Sequence, residues 1–246
     1  MCRSAILLLL GLLAAPVTAQ EALVVAGLGG QAPLSRDDGS GGLSGLEPEL
    51  AAALCARLEG DCTMTVAASW QDLIGGLREG RSALGFGGLS RLTLEGLGIA
   101  ASTPYLPLLG QWAVIGEAGD PLAEDGPGIG VIRGTPHALW LEAHLPQERL
   151  VRFADDEEMF LSLHNGSVGA LFGDGLVLWR DLLQAPLGRD VALRGPGVDV
   201  EADGLVLALS SDRDLALAVE TALAEMAADG TLAALVARHL PGLPPP

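Results

Sequence analysis

The segment Ser69–Ser90, SWQDLIGGLREGRSALGFGGLS, predicts a helix that leads into a buried strand. Ser69, followed by Asp72 three residues later, forms a pattern similar to a capping box, which marks a helix start. Apolar residues then recur at helical spacing: Leu73, Ile74 and Leu77. The segment therefore begins as a helix with one apolar face.

The same segment ends as a strand. Gly80 stands where a helix needs a left-handed terminator, and Ala83–Phe86 is short and apolar. Gly87 and Gly88 follow directly and predict a glycine loop at the end of that strand. The whole unit is thus a helix, a turn, a covered strand and an open loop.

A second copy of this unit lies at 155–174, DDEEMFLSLHNGSVGALFGD, with a cap at Asp155 or Asp156 and a strand over Val168–Phe172. Two such units predict two similar α/β lobes. Open parallel sheets place ligands outside the carboxyl ends of their strands. We therefore expect Gly87–Arg91 and Gly173–Gly175 to form the two lips of one cleft.

The N-terminus, MCRSAILLLLGLLAAPVTAQ, has one arginine, an apolar run and the small-residue signal Val17-Thr18-Ala19. This pattern predicts a signal peptide over residues 1–19 and an exported protein, with an uncleaved anchor as the alternative. Cys2 precedes the apolar run and would be removed with it, so a lipoprotein is not expected. No later apolar stretch is long enough to cross a membrane.

Composition narrows the class of partner. The chain has 31 acidic residues and 14 arginines, contains no lysine, and carries a formal charge of −17. An acidic surface repels phosphate backbones, which argues against binding to nucleic acid or to anionic membranes. The apolar content is that of a folded chain, either one large domain or two lobes.

Cys55 and Cys62 are the two cysteines that remain after export, and export places them in an oxidising compartment. Cys55 lies near the end of a predicted helix and Cys62 begins the next strand. A turn at 59–61 brings them together, so we predict a disulfide. A redox or metal role is the alternative, but neither a CxxC spacing nor a nearby histidine supports it.

Two further features leave alternatives open. The glycines after the first strand, Leu23–Ala26, allow close approach of a ligand, but they also fit a flexible strand exit and complete no nucleotide-binding pattern. Trp70, at the start of its helix, is either a plug in the core or a flat platform for a ligand.

Catalytic and metal signatures are missing. The four histidines show no zinc spacing, and the acidic series from Asp199 to Asp203 lacks the glutamate that an EF-hand loop requires. No serine lies in a GxSxG pattern and no cysteine is available as a nucleophile. We expect no cofactor, no metal and no enzymatic activity.

The order of features resembles the periplasmic solute-binding proteins, family 3, which serve polar amino-acid ABC importers. The landmarks that carry the resemblance cover nearly the whole mature chain: Ala32-Pro33, Gly45–Leu50, Trp70, Ser102–Tyr105, Gly130–Thr135, Ala170–Asp174 and Asp229–Thr231. The cysteine pair also stands where basic-amino-acid and histidine binders of that family carry a disulfide.

The resemblance implies an α/β fold of type II, with two lobes, two mixed sheets flanked by helices, and a hinge. Two crossings are expected near Leu106–Gln111 and Gly204–Leu207. The first lobe would then contain residues 20–107 and 205–246, and the second lobe residues 108–204. Closure of the lobes on a ligand gives a membrane permease a shape to recognise.

The resemblance also implies a set of ligand-binding residues: Gln31, Trp70, Gly87, Gly88, Ser90, Arg91, Arg133, Thr135 and Asp174. Asp174 matches the acid that binds an α-amino group. The chain departs from the family at three positions, with Leu28 where an acid is usual, Gln31 where an aromatic is frequent, and Glu95 where an arginine should grip the α-carboxylate. Arg91 or Arg133 could supply that contact from a shifted position.

Three functions follow as hypotheses. The first is a periplasmic receptor that captures a small polar solute, an amino acid or an amine, for an ABC importer. The second is an accessory protein of a periplasmic quinoprotein dehydrogenase with a degenerate ligand site, which the missing arginine favours. The third, an enzyme similar to cyclohexadienyl dehydratase, lacks an evident acid and base.

Overall fold

The computed structural model describes residues 22–58, 61–116, 121–123, 126–183, 190–200 and 204–243. The predicted signal peptide, residues 1–19, lies outside these ranges. No helix among the described residues combines the length and apolar character needed to cross a membrane. Within the same ranges, no group of three or more His, Cys, Asp or Glu side chains is placed to hold a metal ion.

Strands and helices alternate along most of the chain. The strands are β1 (Leu23–Leu28), β2 (Arg36–Asp37), β3 (Leu43–Ser44), β4 (Cys62–Ala67), β5 (Leu84–Ser90), β6 (Ala100–Ala101), β7 (Gly110–Ile115), β8 (Ile129–Ile132), β9 (Leu150–Phe153), β10 (Ala170–Asp174), β11 (Val191–Val198) and β12 (Leu205–Leu209). The helices are α1 (Leu46–Arg57), α2 (Trp70–Arg78), α3 (Arg91–Gly96), α4 (Pro136–His144), α5 (Asp156–His164), α6 (Gly175–Val177), α7 (Arg213–Ala228) and α8 (Thr231–His239). A π-helical segment, Leu178–Leu183, continues α6, and a short 3₁₀ turn covers Gln147–Arg149.

Ten of these strands form two five-stranded sheets, which we call the first and second sheets, and β2 pairs with β3 in a separate two-stranded sheet. The first has the order β4-β1-β5-β12-β6 and the second the order β11-β7-β10-β8-β9. Each is mixed, because β12 runs antiparallel to β5 and β7 runs antiparallel to β10. Helices cover both sheets, and apolar clusters lie against each of them. We call the part built on each sheet the first and second lobe.

The chain passes between the sheets in two neighbouring segments. Leu205 donates a backbone hydrogen bond to the carbonyl of Leu106 at 2.8 Å, and Tyr105 donates one to Leu205 at 2.9 Å. A Cβ atom at Gly204 would lie 2.5 Å from Cβ of Pro104, so a side chain larger than glycine would clash there. The expected crossing points therefore lie side by side.

The two predicted helix–strand units are present. The Ser69 hydroxyl accepts a hydrogen bond from the N–H of Asp72 at 3.1 Å and caps α2, and Asp155 accepts one from Glu158 at 2.9 Å and caps α5. Gly80 and Gly166 follow the two helices with φ of 72° and 76°. The prediction of capped helices that end at left-handed glycines is confirmed.

The predicted glycine loop after the first unit is wrong. β5 continues through Gly87 and Gly88 to Ser90, and α3 begins at the next residue. Opposite β12, the register shifts between Val206 and Ala208, where β5 carries extra residues. The N–H groups of Gly87 and Gly88 point instead to Oε1 of the buried Glu47, at 3.2 and 2.8 Å. A side-chain carboxyl therefore takes the place of a strand partner in this bulge.

Two other expectations have clear outcomes. The Cys55–Cys62 disulfide is formed, as predicted. The C-terminal sequence HLPGLPPP, residues 239–246, predicts a frayed terminus, but this is wrong for Leu240–Leu243, because Leu240 is fully buried in the first lobe and the carbonyl of Pro241 accepts a hydrogen bond from the Trp179 indole.

Candidate functional site

A cavity of about 330 Å³ opens at the carboxyl end of β10, between the first turns of α4 and α5. Its polar lining comprises Thr135, His137, Asp156 and Asp174. Much of the remaining wall is apolar and includes Met159, Phe172 and Leu178, which belong to the two clusters that cover the second sheet. The cavity thus combines an apolar wall with a few polar groups, which is usual for a small-molecule site.

Asp174 ends β10 and begins the helical turn that follows. Its Oδ1 atom accepts hydrogen bonds from the N–H groups of Leu176 at 2.8 Å and Val177 at 3.2 Å. This arrangement fixes the side chain by capping α6. Asp174 is half-buried and its carboxylate lines the cavity, in the position that the sequence predicts for it.

Thr135 caps α4 at the opposite wall. Its hydroxyl accepts a hydrogen bond from Ala138 at 3.2 Å and donates one to the carbonyl of Ile132 at 2.8 Å. Pro136, the first helical residue, has no N–H group. Free N–H groups at this helix start predict an anion site, but fewer of them are free, because one amide is missing and another is used by the cap.

His137 is a cavity residue that the sequence prediction omitted. The side chain is only 7% exposed, its Nε2 atom has no hydrogen-bond partner among the described residues, and its ring meets the edge of Phe172 at 5.7 Å between centroids. Burial lowers the pKa of His137, and the nearby Asp174 opposes this change. The imidazole is therefore neutral near pH 7. The sequence signal that could have identified His137 as a site residue is its position two residues after Thr135, which caps a helix that follows a strand end.

Asp156 is the second residue that the sequence prediction did not assign to the site. It begins α5, where the sequence predicts only an acid suited to the helix dipole. Burial raises the pKa of Asp156, and the charges of Asp181, Asp155 and Asp174 raise it further, while Arg180 opposes them. The carboxylates of Asp156 and Asp174 thus repel each other across the cavity.

Most of the predicted first-lobe residues have other contacts. The N–H groups of Gly87 and Gly88 donate to Glu47, and Ser90 caps α3 by accepting a hydrogen bond from Thr93 at 3.3 Å. Trp70 is half-buried and packs against the apolar cluster under α2.

The predicted cations do not line the cavity either. Arg91 donates to the carbonyl of Ser102 at 2.7 Å, which ties its guanidinium to the first lobe. Arg133 is exposed, and its side chain forms no ion pair within the described ranges. Gln31 is exposed and bridges to Ser35, while Glu95 is exposed on α3.

The structure therefore brings Thr135 and Asp174 together in one cavity. None of the first-lobe residues predicted for the site lines that cavity. The two expected lips, Gly87–Arg91 and Gly173–Gly175, do not border it jointly in this arrangement of the lobes.

Comparisons with known proteins identify relatives that bind amino acids. The family model for bacterial extracellular solute-binding proteins, family 3, matches residues 23–242. The histidine-binding periplasmic protein of Escherichia coli K12 is 27% identical over 218 residues, which are 85% of this chain and 83% of that protein. The putative ABC transporter arginine-binding protein 2 of the same strain is 26% identical over 218 residues, 87% of this chain and 88% of that protein.

Solved structures show the same architecture. The unliganded, open L-cystine solute receptor of Neisseria gonorrhoeae superposes with a TM-score of 0.69 at 20% identity, and the match covers 90% of this chain and 94% of that one. The expected two-lobed fold, with two mixed sheets flanked by helices, is confirmed.

Proposed function

Because the chain belongs to the bacterial extracellular solute-binding proteins, family 3, we propose that it captures a small amino acid or amine and delivers it to an ABC importer. The two relatives described above are amino-acid-binding proteins, one of them periplasmic and the other of an ABC transporter. The family is one of binding proteins, and none of the comparisons favours the alternative of a partner for a periplasmic dehydrogenase.

One observation carries the proposal. The 330 Å³ cavity lies outside the carboxyl end of β10, where open α/β sheets place ligands, and the carboxylate of Asp174 faces it. Because Asp174 caps α6, its side chain has a fixed orientation at this edge, which suits it to hold an ammonium group. Closure of the lobes would bring first-lobe residues to the open side of the cavity.

Location and organisation belong to the same proposal. The N-terminal signal predicts export, and we place the mature protein in the periplasm, with an inner-membrane permease as its partner. We assign residues 20–107 and 205–246 to the first lobe, and residues 108–204 to the second. Gln31, Trp70, Gly88, Ser90, Arg91 and Arg133 are the candidates that would face the ligand after closure.

A thermal-shift screen against amino acids and small amines tests the receptor function. A ligand at a hundred times its dissociation constant adds about 2.7 kcal/mol to the free energy of unfolding, which raises the melting temperature measurably. If no compound of either class raises it, the proposed function is wrong.

Asp174 gives the corresponding test of the site. Asp174→Asn keeps an oxygen that can cap α6 but removes the charge, so affinity for the hit should fall by about tenfold or more. Asp212→Asn is the matched control, because Asp212 caps α7 in the first lobe through two similar hydrogen bonds, at 2.9 and 3.1 Å. Equal affinities for the two variants would exclude Asp174 from the ligand contacts.

A further inference from the structure

The charges on the cavity wall are of one sign. Its lining includes two carboxylates, Asp156 and Asp174, and no arginine. Arg180 attracts both carboxylates electrostatically, but its guanidinium pairs with Asp181 and it is not part of the cavity lining. The lining itself therefore offers no cation to either carboxylate, and the charge of Asp174 disfavours ionisation of Asp156.

His137 supplies an independent sign of a missing partner. Its ring lines the same cavity, its side chain is nine-tenths buried, and Nε2 has no hydrogen-bond partner within the described residues. Buried polar atoms are nearly always satisfied by a protein group, a water or a ligand. The imidazole therefore adds an unsatisfied polar atom to the wall of the cavity.

Groups that could hold a carboxylate are few on this wall. Pro136 has no N–H group, and the N–H of Ala138 is bound by Thr135. The N–H groups of Leu176 and Val177 are bound by Asp174 itself. Of the arginines, Arg91 is bound to the Ser102 carbonyl, Arg180 pairs with Asp181, and Arg133 lies outside the lining.

We propose that the ligand of this cavity is an amine cation without a carboxylate, whose ammonium group binds Asp174 and Asp156 and whose body packs on the apolar wall. The inference rests on the proposed receptor function and specifies its ligand class. A cation relieves the repulsion between the two carboxylates, whereas a ligand carboxylate would be desolvated beside them without a partner.

Matched pairs of ligands test the inference in a binding titration of the purified chain. Each pair differs only in the carboxylate: agmatine with arginine, cadaverine with lysine, and histamine with histidine. At least one amine should bind about tenfold or more tightly than its amino acid, because no arginine lines the cavity wall to which the ammonium group would bind. Amino acids that bind as tightly as their amines would overturn the inference and leave the receptor function intact. If neither member of any pair binds, both proposals fail.

Variants on α5 test the contact itself. Asp156→Asn should weaken binding of the preferred amine by about tenfold. Glu158→Gln is the matched control, since it removes the same charge two residues away and outside the cavity lining. Equal losses of affinity in the two variants would show that only the net charge of the protein matters, and would exclude Asp156 as a ligand contact.

His137→Phe completes the series. It keeps an aromatic ring of similar size and removes both nitrogens, and should weaken amine binding by about fivefold if the ligand hydrogen-bonds to the imidazole. Circular dichroism and the melting temperature of each unliganded variant separate a lost contact from a lost fold. Unchanged affinity in a folded His137→Phe variant would remove the imidazole from the proposed contacts.

Discussion

The hydroxyl of Tyr105 donates a hydrogen bond to Oε1 of Glu47 across 2.6 Å, and both side chains are buried in the first lobe. The same oxygen accepts the N–H groups of Gly87 and Gly88, while Oε2 has no partner among the described residues. One carboxyl group thus joins the start of α1, the bulge in β5 and the segment that leads to the crossing.

Glu47→Gln should change how stability depends on pH. Burial raises the pKa of Glu47 above its ordinary value of 4.5, against the hydrogen bonds from Tyr105, Gly88 and Gly87. The stability that this proton contributes is present below the ordinary pKa of 4.5 and is lost as the pH rises through the raised pKa of Glu47 in the folded protein. A glutamine does not titrate, so the variant should gain stability relative to the wild type as the pH rises above 4.5, as measured by urea unfolding.

Glu49→Gln provides an opposite control on the same helix. The hydrogen bond with His239 lowers the pKa of Glu49, helped by the charges of His239 and Arg238 and opposed by burial. The stability that ionised Glu49 contributes is present above its ordinary pKa of 4.5 and is lost as the pH falls through the lowered pKa. The variant lacks this contribution, so it should lose stability relative to the wild type as the pH rises. The effect should be small, because the Glu49 side chain is 43% exposed and its ion pairs are screened by water. The same trend in both variants would contradict our account of Glu47.

The bulge in β5 requires glycine at two neighbouring positions. Gly88 has φ of +67°, and a Cβ atom there would meet nothing closer than 3.5 Å. Gly88→Ala should therefore lower the free energy of unfolding only by the strain of a left-handed alanine, about 1–2 kcal/mol. At Gly87 a Cβ atom would also lie 2.7 Å from Cβ of Leu28, so Gly87→Ala should destabilise more.

Gly98→Ala is the control for these two variants, because φ is +66° and no atom lies within 4 Å of the added Cβ. Its loss of unfolding free energy should match that of Gly88→Ala. A Gly87→Ala protein as stable as either would show that β5 does not keep this bulge in solution.

The Cys55–Cys62 disulfide closes a short loop, with a sequence separation of 7 residues. Replacing both cysteines with alanine should lower the free energy of unfolding by about 2–3 kcal/mol, because a loop of this size removes only a modest amount of entropy from the unfolded chain. Urea unfolding measures the change. Reductant should lower the stability of the wild type to that of the variant and leave the variant unaffected; equal sensitivity of the two proteins would contradict the assignment.

The sequence predicts those parts of the fold that depend on neighbouring residues. Ser69 with Asp72, and Asp155 with Glu158, are three residues apart, so the caps of α2 and α5 can be recognised without knowledge of the fold. The path of β5 cannot be predicted in this way. The acceptor for its amides, Glu47, lies forty residues earlier, and only tertiary packing brings it there.

The candidate site divides in the same way. Asp174 and Thr135 could be predicted from their positions at the end of a strand and the start of a helix. His137 and Asp156 could not, because a single histidine and an acid in a first helical turn are common without a ligand. Their importance depends on burial beside Phe172 and Asp174, which appears only once α4, α5 and β10 are packed together.

The C-terminal segment links the two lobes through Trp179 and Pro241. Trp179 belongs to the π-helical segment of the second lobe, is 5% exposed within the apolar cluster of the first lobe, and donates its indole N–H to the Pro241 carbonyl at 2.8 Å. Trp179→Phe should lower the free energy of unfolding by about 1–3 kcal/mol, through the lost hydrogen bond and lost volume.

Deleting residues 241–246 should also lower the free energy of unfolding, because it leaves the buried indole N–H of Trp179 without its acceptor. If the two groups interact, the double variant should lose less stability than the two single variants together, by about 1 kcal/mol. Urea unfolding of the four proteins gives this difference. Strictly additive losses would show that the Pro241 carbonyl and the Trp179 indole do not stabilise the contact between the lobes.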